Sequence, residues 1–198
     1  MRVFLLLSLA LMLPAQAQTP PRLQAPPAAE RVVPGGRAGW VSDGQGGCWL
    51  WAGGLGAGAS SITGSWTGPC PNGPAEGEGR SVIRWQIGGQ QHEMVWQGPL
   101  RAGKAEGRGT LVSTEDGEVV TLEQGEYHDD YLVNGRLEFM GSGLVYDGGW
   151  RQGHPQGEGT LRLEGQLIQG HWEHGCLRRK GRWIAFTRPP EQCEGQPT

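Results

Sequence analysis

The sequence predicts an all-β protein, built as an elongated antiparallel sheet of stacked β-hairpins. Two observations lead to this fold class. A spacing of aromatic residues and glycines recurs along the chain, which indicates a repeat architecture. Within the copies, apolar and polar residues alternate with the two-residue period of a strand. No helical period is found after residue 17, so we expect no helix there.

The clearest copy spans Tyr146–Leu161, with the sequence YDGGWRQGHPQGEGTL. An aromatic residue, a glycine and a second aromatic residue stand at alternate positions, and three glycines and a leucine follow. A weak copy lies near Gly125 and Tyr127, where Asp130 and Asn134 replace glycines. The other copies, complete or partial, align Trp66, Gly68, Cys70, Gly73, Gly77 and Gly79; then Trp96, Gly98, Leu100, Gly103, Gly107, Gly109 and Leu111; and finally Ile168, Gly170, Trp172, Gly175 and Gly181.

Each copy is expected to form one β-hairpin whose loop lies around its third glycine. Rings, aliphatic side chains and glycines share one face of the strands, and most charged residues lie on the other. Glycine destabilises a strand interior, so its recurrence on one face indicates that a neighbouring ring lies over the backbone there. A single hairpin is marginally stable, and we expect the hairpins to stack into one sheet. Ser113–Gly117 is expected to form a longer connecting turn.

The amino-terminal residues predict export and a linker. Residues 1–17 combine Arg2, an apolar run and the small-residue motif Ala15-Gln16-Ala17, which is typical of a signal peptide cleaved after Ala17. The apolar run is shorter than the roughly 20 residues that a membrane span needs. Residues 18–38 are rich in proline and alanine and predict an extended linker. Residues 39–198 then form the repeat domain with a capping carboxyl-terminal segment, in the periplasm or outside the cell.

Composition and cysteines fit an exported, folded repeat domain. The formal net charge is −3, and it becomes −4 when residues 1–17, which carry Arg2 and no acid, are removed. Such a chain is a poor general binder of nucleic acid. Four cysteines in an exported chain predict two disulfides with three possible connectivities. We favour Cys48–Cys70 and Cys176–Cys193, because each of these disulfides would cross-link one end of the repeat array.

The pattern Y-x-G-x-W-x-x-G-x-x-x-G-x-G-x-L in Tyr146–Leu161 resembles the MORN repeat. The segment GCWLW followed by WTGPCPNGPAEGEG is similar to the amino-terminal part of some exported bacterial MORN-repeat proteins. The resemblance covers about residues 48–183. It implies a single-layer sheet of hairpins that serves as a scaffold or binding surface. The link of eukaryotic members to lipid headgroups involves basic and aromatic positions that this acidic chain does not clearly keep.

The function expected from the sequence is that of a non-enzymatic interaction or scaffold module. Its partner would be a protein or a cell-envelope component, and membrane association is left open. The alternative is a cell-surface carbohydrate-binding module. Two interpretations of the aromatic row stay open, a packed core and an open groove. The predicted binding residues on this row are Trp66, Trp96, Tyr146, Trp150 and Trp172.

No catalytic residue, cofactor or metal is expected. His171 and His174 lie three residues apart on a predicted strand, which directs them to opposite faces. The polar residues Glu126, His128, Asp129 and Asp130 are interpreted as the solvated loop of the degenerate copy. A basic cluster near the carboxyl terminus is interpreted either as a charged cap against edge pairing or as a contact for an anionic partner. It consists of Arg178, Arg179, Lys180 and Arg182.

Overall fold

The computed structural model describes residues 31–33, 36–44, 47–71 and 73–194. The predicted signal peptide and residues 18–30 of the predicted linker lie outside the described residues. Three strands, β1 (Arg31–Val33), β2 (Gly36–Ser42) and β3 (Trp49–Ala52), form a small antiparallel sheet, which we call the amino-terminal cap. The β-structure thus begins inside the stretch predicted as linker. Two adjacent β-branched valines, Val32 and Val33, favour an extended backbone there.

The main sheet is open and antiparallel, and its strands lie side by side in chain order. A short strand, β7 (Lys104–Ala105), pairs with β6 beside this path. This arrangement confirms the predicted fold of consecutive hairpins, with β4 and β13 at the two edges. The strands are β4 (Ser60–Trp66), β5 (Gly77–Ile87), β6 (Gln90–Arg101), β8 (Gly107–Glu115), β9 (Glu118–His128), β10 (Tyr131–Phe139), β11 (Leu144–Arg151), β12 (His154–Leu163) and β13 (Gln166–Trp172).

Most hairpin turns of the main sheet use two adjacent residues with positive φ. In the clearest copy the turn is Gln152–Gly153, at the third glycine as predicted, with φ of 50° and 78°. The prediction of a longer connecting turn at Ser113–Gly117 is wrong. Its first three residues belong to β8, and the turn consists of Asp116 and Gly117 alone, with φ of 48° and 85°. An Asp-Gly pair meets the two positive φ angles of a tight type I′ hairpin turn, so no longer loop is needed.

One row of glycines crosses the sheet at right angles to the strands, one from each of eight neighbouring strands. A side chain in this glycine row has no room. A Cβ added at Gly79 would lie 2.6 Å from Cη2 of Trp66, and one added at Gly159 would lie 2.5 Å from Cζ of Tyr146. The prediction that rings lie over glycine backbone is therefore confirmed. The row consists of Gly79, Gly98, Gly109, Gly125, Gly135, Gly148, Gly159 and Gly170.

A second row, two residues along each strand from the glycine row, faces the same side of the sheet. We call this side the inner face and this second row the core row. Six of its eight members are apolar, and the two exceptions are a serine and a glutamate. The core row consists of Ser81, Trp96, Leu111, Glu123, Leu137, Tyr146, Leu161 and Ile168, each paired with the next across the sheet.

The carboxyl-terminal cap covers the β11–β13 end of the inner face. It contains the hairpin of β14 (Cys176–Arg179) and β15 (Arg182–Ala185), followed by a loop with a 3-10 turn at Pro190–Gln192. Leu177 of this cap lies over Gly170, where an added Cβ would be 2.6 Å from its Cδ1. Phe186 packs on Tyr146, with ring centroids 5.8 Å apart.

The amino-terminal cap covers the other end of the inner face in the same way, with Val41 and Leu50 over Gly64. Each cap holds one disulfide. Cys48 is bonded to Cys70 and Cys176 to Cys193, which confirms the connectivity that the sequence favours. Two disulfides fit an oxidising compartment, extracellular or periplasmic. The described part of the chain contains no helix with the length and hydropathy of a membrane span.

Candidate binding groove

Between the two caps, the middle of the inner face is left uncovered and forms a groove of about 780 Å³. The floor comes from the central strands, with Leu111 and Leu137 of the core row and Ser113 beside them. One wall is the amino-terminal cap, which contributes Trp51, and the opposite end contains Arg188 of the carboxyl-terminal cap. The groove follows from the fold, since two caps stapled to the ends of a long sheet leave its centre open.

The five rings predicted to bind a ligand are all buried. Tyr146 and Trp172 have no exposed surface, and the other three are at most 9% exposed. Trp96 and Trp150 line the groove, whereas Trp66, Tyr146 and Trp172 lie in the core away from it. All five rings therefore belong to the packed core, and only Trp96 and Trp150 also line the groove. A binding role stays a prediction for Trp96 and Trp150.

Indole N–H groups tie several of these rings to the sheet backbone. Nε1 of Trp150 donates to the carbonyl of Gly135 at 3.1 Å, and Nε1 of Trp172 donates to the carbonyl of Gly159 at 3.3 Å. Both acceptors belong to the glycine row, so the rings lie flat enough over it to reach the main chain. Nε1 of Trp66 donates to the carbonyl of Pro69 at 3.0 Å. These hydrogen bonds fix the orientation of the rings. A side chain in place of the glycine under a ring would keep the ring away from the main-chain carbonyl.

Glu123 is the one charged residue of the core row, and it lines the groove. The hydroxyl of Tyr127 donates to its Oε2 at 2.9 Å. Burial raises the pKa of the Glu123 carboxyl, and the Tyr127 hydrogen bond offsets part of that rise. The pKa of Tyr127 is raised as well, by burial first and then by the Glu123 charge. Sequence reasoning missed Glu123, although it stands two residues before a row glycine, where Trp96 and Tyr146 stand in their copies.

Asp130 also lines the groove, at the turn between β9 and β10. Its Oδ1 accepts the backbone N–H of Ala105 at 3.2 Å. Burial raises the pKa of Asp130 to about 7, against the Ala105 hydrogen bond and the Lys104 charge, which lower it. The charges of Asp129 and Glu123 add to the rise. The interpretation of this segment as a solvated loop is wrong for Asp130.

The remaining residues of that loop are exposed, as expected. Nδ1 of His128 lies 3.1 Å from Oε1 of Glu106, and Nζ of Lys104 lies 2.7 Å from Oδ1 of Asp129. The difference arises from the turn itself. Asp129 and Asp130 both have positive φ, which directs the second carboxylate inward. The adjacent residues Asp129 and Asp130 therefore lie in different environments, since Asp129 is exposed to solvent and Asp130 lines the groove.

The far end of the groove is basic. It contains His154, His174 and Arg188. Burial lowers the pKa of His154, and the nearby Arg188 and His174 lower it further. Nδ1 of His154 lies 2.8 Å from Oγ1 of Thr187, whose hydroxyl donates to the carbonyl of Phe186 at 2.5 Å. The His154 imidazole and the Thr187 hydroxyl are thus joined by one hydrogen bond at this end of the groove.

The metal-binding candidates of the sequence are not brought together. His171 lies on the outer face, where Nδ1 is 3.0 Å from Oε1 of Glu158, whereas His174 lines the groove. Cys176 is engaged in a disulfide. Among residues 31–33, 36–44, 47–71 and 73–194, no group of three or more histidine, cysteine or carboxylate side chains is placed to hold a metal ion.

The basic cluster forms the exposed tip of the β14–β15 hairpin. Arg178, Arg179 and Lys180 are all exposed there, and the Arg178 guanidinium lies over the ring of Trp183 at 5.8 Å. Both interpretations of the cluster, an edge-blocking cap and a contact for an anionic partner, stay open. Comparison of the sequence with models of known protein families and with curated proteins finds no match.

Proposed function

We propose that this chain is an exported, non-enzymatic repeat protein that works as an interaction module and binds its partner in the inner-face groove. The groove is the observation that carries the proposal. Its volume of about 780 Å³ lies within the range of roughly 300–1,000 Å³ of known ligand sites. Its lining, mostly aliphatic and aromatic with a few polar groups, is also typical of such sites.

The wider setting supports a binding role. Arrays of stacked hairpins present extended surfaces, and MORN-like spacing in Tyr146–Leu161 is the basis for placing the repeats in that class. A carbohydrate-binding module, the alternative, uses exposed rings to stack on sugars. The buried row favours the groove over that alternative.

Export is the second part of the proposal. The two disulfides fit an oxidising compartment, and residues 1–17 carry the features of a signal peptide cleaved after Ala17. Sequencing the amino terminus of the protein recovered from the periplasm or the medium is expected to give Gln18 as the first residue. Recovery of a chain that still starts at Met1 would overturn this part.

The groove is tested with a neutral apolar fluorescent probe, N-phenyl-1-naphthylamine, and two matched variants of β8. Ser113→Phe places a ring in the groove, and Thr110→Phe places the same ring on the outer face of the same strand. We expect saturable binding by the wild type and by Thr110→Phe, and at least a tenfold loss in Ser113→Phe. Circular dichroism of both variants checks that the sheet is intact. Equal binding by all three proteins would contradict the proposal.

The carbohydrate alternative has its own test. A panel of cell-wall glycans is applied to the wild type and to the variants Trp96→Ala and Trp150→Ala, which alter the two rings that line the groove. We expect no retention by the wild type. Retention that both substitutions abolish, while the apolar probe does not bind, would favour the alternative over the groove proposal.

A further inference from the structure

The core row contains an acid where its neighbours are apolar. Glu123 lies between Leu111 on β8 and Leu137 on β10, directly paired with both. A leucine at this position would continue the apolar row without a gap. A carboxylate at a half-buried site loses hydration, so it destabilises the fold unless a partner compensates it. Its presence therefore indicates a partner.

The protein itself supplies a hydrogen-bond donor to only one of the two carboxylate oxygens of Glu123. Among the described residues, the hydroxyl of Tyr127 is the one hydrogen-bond donor to Glu123, and it reaches Oε2. Oε1 accepts no hydrogen bond from the described part of the chain, and no Lys, Arg or His of that part lies within 4 Å of the carboxylate. Asp130 lines the same groove, and the negative charges of Glu123 and Asp130 repel each other. Lys104, the cation on that side, is paired with Asp129.

The rest of the groove fits an apolar body attached to a cation. Leu111, Leu132 and Leu137 line its floor, and Trp96 and Trp150 line its sides. The basic side chains of the groove, His154, His174 and Arg188, belong to its far end at the carboxyl-terminal cap. An acid on the floor of the groove with apolar side chains around it complements a molecule with one positive end.

We propose that the groove binds an amphiphilic organic amine, with its ammonium group on the carboxylate of Glu123 and its apolar body along Leu111 and Leu137. This inference rests on the proposed function, since it names the ligand class of the same groove. An ammonium ion has three N–H donors, one of which can serve Oε1 of Glu123, the oxygen that the Tyr127 hydroxyl does not reach. Hydrogen bonds between charged groups at a partly buried site are stronger than neutral ones, which gives the amine its advantage over uncharged analogues.

The test compares three probes that share one alkyl chain, decylamine, decanol and decanoate. They are titrated at pH 8, below their critical micelle concentrations, by displacement of the apolar fluorescent probe. We expect wild-type protein to bind decylamine at least about tenfold more tightly than decanol, and decanoate more weakly than either. Glu123→Gln keeps the side-chain shape and an acceptor for Tyr127 but removes the charge. It is expected to bind decylamine and decanol equally.

Two further variants separate a local effect from a folding effect. Glu126→Gln removes an acid from the outer face of the same strand, and it is expected to keep the full preference for the amine. Glu123→Leu restores the apolar row, so it is expected to bind decanol at least as well as the wild type and to lose the preference for the amine. Unfolding curves for each variant show whether the sheet is retained.

The outcomes distinguish the two proposals. If the wild type binds neither the fluorescent probe nor any of the alkyl compounds, the groove is not a binding site and both proposals fail. If decanol or decanoate binds as tightly as decylamine, the groove proposal stands and the amine proposal is overturned. If Glu126→Gln loses the preference as fully as Glu123→Gln, the charge effect is not located in the groove and the amine proposal is overturned as well.

Discussion

Replacing Gly159 by alanine tests the packing of rings on the glycine row. Gly159 has an ordinary strand conformation, so the backbone accepts alanine, and the lower flexibility of the unfolded chain favours the variant by about 0.5–1 kcal/mol. The added Cβ would lie 2.5 Å from Cζ and 2.9 Å from Cε2 of Tyr146, far inside a normal carbon–carbon contact of about 3.5–4.0 Å. The ring has little freedom to move away, because Tyr146 is fully buried with its centroid 4.8 Å from that of Trp150 and 5.5 Å from that of Trp172.

Overpacking of this kind costs about 1–3 kcal/mol. The net expectation is a loss of about 1–2 kcal/mol, or a fall of roughly 2–8 °C in the unfolding temperature of a domain of this size. The assay is urea unfolding followed by tryptophan fluorescence. The matched control is the same substitution in a Tyr146→Leu background, since leucine occupies the core row at Leu111, Leu137 and Leu161. Gly159→Ala should be neutral or stabilising there. An equal loss in both backgrounds, or a higher midpoint in the wild-type background, would refute the packing argument.

Three further predictions concern stability. Removing the carboxyl-terminal disulfide with Cys176→Ser and Cys193→Ser, whose positions are 17 residues apart, should lower the free energy of unfolding by about 3 kcal/mol, and an unchanged urea midpoint would contradict this. Asp130 titrates at about 7 in the fold against an ordinary 3.8, so the folded state holds the extra proton and stability should fall as the pH rises from about 4 through 7; Asp130→Asn should flatten that slope, and identical slopes would exclude Asp130 as its source. At the β8–β9 turn, Gly117→Val should cost about 1–2 kcal/mol because φ is 85°, whereas Gly117→Asn should cost less; equal costs in an unfolding assay would contradict the turn geometry.

Much of the fold is predictable because it depends on short-range patterns. A hairpin is fixed by its turn and by the alternation of its strands, and both are visible in Tyr146–Leu161. The ring-over-glycine packing follows from the same spacing, since a strand glycine is costly unless something uses the space. The positions of the cysteines at the two ends of the array also favour the pairings Cys48–Cys70 and Cys176–Cys193, which the structure has.

The groove was not predictable in the same way, because it arises from contacts between distant segments. Its walls belong to two caps whose docking on the inner face has no periodic signature, and β1 and part of β2 lie in a stretch whose composition indicated a linker. The inward orientation of Asp130 depends on the positive φ angles of Asp129 and Asp130, which the sequence HDDY does not predict. Glu123 is different. Aligning it with Trp96 and Tyr146 would have revealed an acid in a row of apolar residues.

The central claim is that the inner-face groove binds a ligand, and one measurement tests it directly. The mature protein, labelled with ¹⁵N, is titrated with the apolar probe N-phenyl-1-naphthylamine, and the changes in amide and indole N–H chemical shifts are mapped onto the sheet. We expect saturable shifts at Leu111, Glu123 and the indole of Trp96, and none at the outer-face residues Thr110 and Glu126. Shifts that cluster on the outer face, or no saturable shift at any residue, would contradict the claim.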